Sequence, residues 1–63
     1  MTTVEPVIVR ELYEVRIALA SRYLVVRVRE VDPDAAKLAV LDHHPGWDLV
    51  EITRWQGEGW VPA

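Results

Sequence analysis

Asp42-His43-His44-Pro45-Gly46-Trp47-Asp48 gathers two imidazoles and two carboxylates in one short run, the donor types that hold divalent metal ions. Consecutive residues on a strand point to opposite faces, so His43 and His44 do not readily chelate one ion, and no metal site is expected. Ser21 could join a His and an Asp in a hydrolytic triad. However, it has no glycine-flanked elbow, and no second glycine pair offers an oxyanion hole. Carboxylates that could pair for acid–base work are numerous only because the chain is acidic, and a domain this small struggles to enclose a water-excluding pocket. The reading is therefore of a protein that is not an enzyme and carries no cofactor.

Recognition chemistry is better represented. All three tryptophans, Trp47, Trp55 and Trp60, fall in the last third of the chain. Indole offers a large, stiff apolar face and one N–H donor at low entropic cost, which enriches it in binding hot spots. It is equally a core filler, above all in a chain with no phenylalanine. Trp60 is expected to pack inward, Trp47 follows a turn and is expected to be exposed, and Trp55 is open between the two. Arg27 and Arg29 alternate on one strand face, with Arg16 on a neighbour. Such a stripe can meet phosphates, or it can pair across strands with acids such as Glu14 or Glu30.

These residues must be positioned by very few elements. Sixty-three residues make one domain, 1–63, with 1–6 read as a flexible tail. Cysteine is absent, so neither disulfides nor thiolate metal sites supplement the core, and oligomerisation or docking remains as the staple. "YLVVRVREV" alternates Leu24, Val26 and Val28 against Val25, Arg27 and Arg29, as a half-buried strand does. In "KLAVLD", Leu38 and Val40 would share a face. "DLVEITRW" has apolar residues on both sides, leaving its inward face open. Asp32-Pro33-Asp34 fits a type I turn, Pro45-Gly46 the centre of a type II turn, and Gln56-Gly57-Glu58-Gly59 a third break.

"YEVRIAL" alternates as a strand, yet Ile8, Leu12, Val15 and Leu19 also fall at helical spacing. The β-branched residues favour strand. Five short antiparallel strands then follow, at about 12–20, 23–31, 37–43, 48–55 and 60–62, and a meander of this size buries its apolar face by curling into a small barrel. The alternative is α+β, an N-terminal helix on a three-stranded antiparallel sheet.

The tail carries a resemblance. Gly46-Trp47, the strand through Ile52, Gly57, and then Gly59-Trp60-Val61-Pro62-Ala63 resemble the C-terminal part of SH3 domains over about twenty residues. The fifteen positions from Trp47 to Pro62 are close to the spacing of that family's groove tryptophan and proline. The resemblance implies an all-β, five-stranded antiparallel SH3-like barrel with Trp47 and Pro62 side by side. Leu12-Tyr13 is the nearest approach to an ALYDY segment, and no tyrosine follows the proline. The implied function is thus a protein-interaction module more than a reader of proline-rich peptides.

Charge narrows the partners. The formal net charge is −3, and the negative excess lies in the tryptophan-rich half, where Asp32, Asp34, Asp42, Asp48, Glu51 and Glu58 outnumber Lys37 and Arg54. That favours a partner presenting Lys or Arg over nucleic acid. No basic leader or membrane-length apolar run is present, so a cytoplasmic protein is expected, with no membrane partner. The candidate partner-binding residues are Trp47, Pro62, Asp48, Glu58 and Tyr13, contacting another protein or a subunit of a larger assembly. A homo-oligomer through an edge strand is a further option. The second reading is single-stranded nucleic acid held by Arg16, Arg27 and Arg29.

Overall fold

A computed structural model describes residues 9–63; the tail assigned to 1–6 lies outside the described residues. Strands β1 (Glu11–Leu19) and β2 (Arg22–Glu30) form a hairpin, helix α1 (Pro33–Asp42) follows, and β3 (Asp48–Trp55) and β4 (Trp60–Pro62) close a four-stranded antiparallel sheet of order β2-β1-β3-β4. The described residues form a small, β-rich fold with one helix. Of residues 9–21, ambiguous by periodicity, 11–19 are strand and 20–21 the turn after it, because β-branched and aromatic side chains suit a pleated surface and β1 gains a partner on each side. Among the described residues no helix is long and apolar enough to cross a membrane.

The segment expected as a strand at 37–43 is helical instead, so the described sheet has four strands where a five-stranded barrel was expected. The type I turn at Asp32-Pro33-Asp34 is the opening of that helix. Both structures begin with right-handed helical dihedrals and favour the same Asp-Pro chemistry. Asp32 is the N-cap, its Oδ1 accepting from the Ala35 N–H at 2.7 Å. Pro33 occupies the first turn, where its missing N–H costs nothing, and Asp34 complements the positive end of the helix dipole. Alanine at 35, 36 and 39 then propagates the helix. Leu38 and Val40, two residues apart, consequently diverge: Leu38 is 60 % exposed and Val40 2 %.

Helix α1 joins strands on either side of β1 and packs across one sheet face against β1, β2 and β3. The core is Tyr13, Val15 and Ile17 from β1 with Ala36 and Val40 from α1; Val26, Val28, Leu41, Trp47 and Ile52 pack around it. Ala36, fully buried, lets the helix backbone approach the sheet closely. The register between β1 and β3 shifts after Arg16, pairing it with Glu51 but Ile17 with Leu49, so Val50 is an extra, bulged residue. By this shift both Ile52 and Leu49 stand opposite core residues of β1, which explains a strand whose apolar residues occupy both parities.

Candidate binding face

Among the described residues no element covers the face of the sheet away from α1, and it is where the recognition-prone residues collect. Directly opposed residues of antiparallel strands share a face. Arg27, Glu14, Thr53 and Pro62 therefore form one row across all four strands, with Val25, Arg16 and Glu51 in the next. Trp55 and Trp60 oppose each other at the β3–β4 hairpin, and their rings lie 5.4 Å apart at a tilt of 59°. The hairpin loop is closed by the Gln56 N–H donating to the Gly59 carbonyl, with Gly57 at φ 84°.

A polar cluster lies at the middle of this face. Glu14 is only 7 % exposed and Thr53 8 %. Glu14 Oε1 accepts from Arg16 Nη2 and Glu14 Oε2 from Arg27 Nε, both at 3.4 Å. Arg16 also reaches Glu51 at 3.9 Å. The Arg27 guanidinium carbon sits 5.2 Å from the Trp60 ring centroid, within cation–π range. The two guanidiniums thus cap the buried Glu14 carboxylate, and Arg27 links this centre to Trp60. Trp55, at the margin, is 42 % exposed. Among the described residues no pocket interrupts the surface.

Comparison with protein-family models, with curated proteins and with solved structures finds no match. Nothing in that outcome bears on the resemblance of the tail to SH3 domains, and the chemistry of the face rests on its own geometry.

The structure redistributes the expected site. Tyr13, proposed as a surface contact, is 1 % exposed and part of the core. Its hydroxyl donates to Glu11 Oε2 at 3.4 Å, and burial first, then the neighbouring Glu11 charge and hydrogen bond, push its pKa above the ordinary 10.0. Trp47 and Pro62 are not side by side. Trp47 packs against the core on the helix side and meets the edge of His44 at a centroid distance of 6.3 Å, whereas Pro62 lies in the Thr53 row on the open face. The turn before Trp47 accounts for this. Gly46, at φ 87°, follows Pro45, and the Trp47 N–H donates to the His44 carbonyl at 3.2 Å; this is the expected type II turn, and it folds the indole back under the helix end. His44 is committed as well, its Nδ1–H donating to the Val40 carbonyl at 2.7 Å.

Asp48 is exposed opposite Ala18, and Glu58 is exposed in the β3–β4 loop. Arg16, Arg27 and Arg29 do share the open face. Sequence reasoning missed Glu14 and Thr53 as its buried centre, and it missed the pairing of Trp55 with Trp60. The latter had a signal: two tryptophans flank Gln-Gly-Glu-Gly, and a hairpin across that loop must set them opposite each other.

Proposed function

We propose that this chain is a non-enzymatic binding module that captures another protein on the open face of its sheet. The anchor is Trp55, Trp60 and Pro62; the rim is Arg16, Arg27, Arg29, Glu51 and Glu58. The observation that carries the reading is Trp55, a large indole left 42 % exposed beside a second indole on a surface with no covering element among the described residues. Interface centres favour such rigid aromatics surrounded by polar groups that exclude water. Pro62 lies on this surface with Trp60, which was expected to pack inward but faces the same side as Thr53 and Trp55.

Capture by the immobilised protein, with partners identified by mass spectrometry, tests it. Trp55→Ala should keep the circular dichroism spectrum and melting behaviour of the parent and lose the captured protein. Undiminished capture by that variant would reject the face.

A second reading has one observation in its favour: the arginine stripe and the tryptophan pair occupy the same face, as a single strand of nucleic acid needs for phosphate contacts and base stacking. Against it stand the acidic total charge and the commitment of Arg16 and Arg27 to Glu14. Salt separates the two. Three phosphate contacts give a slope of log affinity against log salt of roughly −2 for single strands, whereas capture centred on an indole changes little over the same range.

A further inference from the structure

The face is not the only unfinished surface. β2 is a nine-residue edge strand, and its outer side has no strand neighbour among the described residues. Natural edges of this length are usually blunted by charged side chains, lysine above all, by proline, by a bulge or by a covering loop, and of these β2 has only its arginines and Glu30. "RYLVVRVRE" has no proline and no lysine, and its register with β1 runs from Arg22 to Glu30 without a shift.

Its free hydrogen-bonding groups follow from the hairpin. A two-residue loop, Ala20-Ser21, makes Leu19–Arg22 the hydrogen-bonded pair next to the turn. Arg22, Leu24, Val26, Val28 and Glu30 therefore direct their N–H and C=O groups towards β1. Tyr23, Val25, Arg27 and Arg29 direct theirs outward.

We propose that this edge is completed by β2 of a second copy of the chain, antiparallel and centred on Val26, giving a continuous sheet of twice the width with both helices on one side. A two-fold axis perpendicular to the sheet keeps each face on its own side and sets residue against residue by a simple rule. In this register Val26 meets Val26 of the second copy, Leu24 meets Val28, and Arg22 meets Glu30 at both ends. On the open face Tyr23 meets Arg29 and Val25 meets Arg27. The four outward-facing residues of one strand then exchange hydrogen bonds with the four of the other.

Charge selects this register over its neighbours. Centring on Arg27 sets that arginine against its own copy, and centring on Val28 sets Arg27 against Arg29 twice. Centring on Val25 leaves Arg22 opposite Val28. Only the Val26 register gives both end charges an opposite partner. Within the chain these charges are unmet: among the described residues neither Arg22 nor Glu30 makes an ion pair, and Glu30 stands directly opposite Glu11.

Sedimentation equilibrium from micromolar to millimolar concentration, on the full chain, should show a reversible dimer. Arg22→Glu and Glu30→Arg should each weaken it about tenfold, since each sets like charges together at both ends. An equimolar mixture of the two variants should recover the parent affinity, because in the mixed dimer the acid introduced at position 22 faces the native Glu30 replaced by a base, and opposite charges meet again. Amide exchange gives a second readout: Leu24, Val26 and Val28 should be protected at all concentrations, and Tyr23, Val25, Arg27 and Arg29 only where dimer forms. A chain that stays monomeric throughout overturns the proposal. A dimer indifferent to both charge reversals also does so, as does protection of the outward amides that is independent of concentration, which would mean the chain covers its own edge.

Discussion

The two faces of this sheet are built from alternate residues of the same strands, yet they exclude water by different means. Towards α1, Tyr13, Val15 and Ile17 are sealed by Ala36 and Val40 in a close-packed apolar layer. Away from it, Glu14 and Thr53 are nearly as well buried, but Glu14 is paired with two guanidiniums that are themselves exposed. The helix face has a dedicated element as its cover. Among the described residues the open face is covered only by its own side chains. The difference teaches how a domain of this size divides its burial: an apolar layer sealed by a helix holds the strands, and a polar layer on the other side is closed by ion pairs.

Truncation on each face should break that symmetry unequally. Ile17→Ala, at a fully buried site, is expected to cost about 3 kcal/mol from lost burial and the cavity left behind. In a chain whose total stability is small that approaches global unfolding, readable by urea denaturation. Trp60→Ala removes more atoms but from a partly buried ring at the sheet margin, and about 1.5 kcal/mol is expected for that partial burial and the lost cation–π contact. If the tryptophan change proves the more destabilising, the open face is a second core.

Alkaline titration sharpens the contrast further, because Tyr13 is the ionisable group of the apolar layer. Its folded pKa is raised above 10.0, first by burial and then by Glu11. A raised value means that ionisation is resisted in the folded chain. The stabilisation is complete below the unfolded value and is lost as pH rises from there through the folded one. The parent should therefore lose melting temperature steeply above about pH 10, and Tyr13→Phe should lose less over the same interval. Equal slopes would show that groups outside the core dominate the alkaline transition.

The strands of the N-terminal half were legible in alternation together with β-branched content, and the breaks at Pro45-Gly46, between α1 and β3, and at Gln-Gly-Glu-Gly, in the β3–β4 hairpin, were legible as turns. Two elements were not, for definite reasons. Asp32-Pro33-Asp34 encodes a helix start and a type I turn with the same residues, and the run after it is too short for a strong helical period, so Leu38 and Val40 passed for neighbours on a strand face. In β3 the bulge at Val50 changes the parity of the inward residues midway, and no rule of alternation survives that. The arginine stripe was placed correctly on one face. Its partner Glu14 was legible as a cross-strand acid, but its burial was not, since that depends on β1 lying between β2 and β3 with guanidiniums from β1 and β2 both closing on one carboxylate.

The smallest effect has the opposite sign and examines the open face alone. Thr53 Oγ1 is buried and has no hydrogen-bond partner among the described residues, so its desolvation on folding is not offset by a protein group there. Thr53→Val keeps the shape and the β-branched strand preference while removing the orphaned group, and it should stabilise the chain by about 0.5–1 kcal/mol. In a domain this small that corresponds to a rise of roughly 3–6 °C in melting temperature. The hydroxyl sits between Glu14 and Pro62 in the row beneath the proposed docking surface. A stabilised variant that captures its partner less well would assign the unmet hydroxyl to recognition, the unbound protein tolerating a cost that the complex relieves. Should the variant instead be less stable, the Thr53 hydroxyl must already be satisfied in solution, and the open face is wetter at its centre than its packing implies.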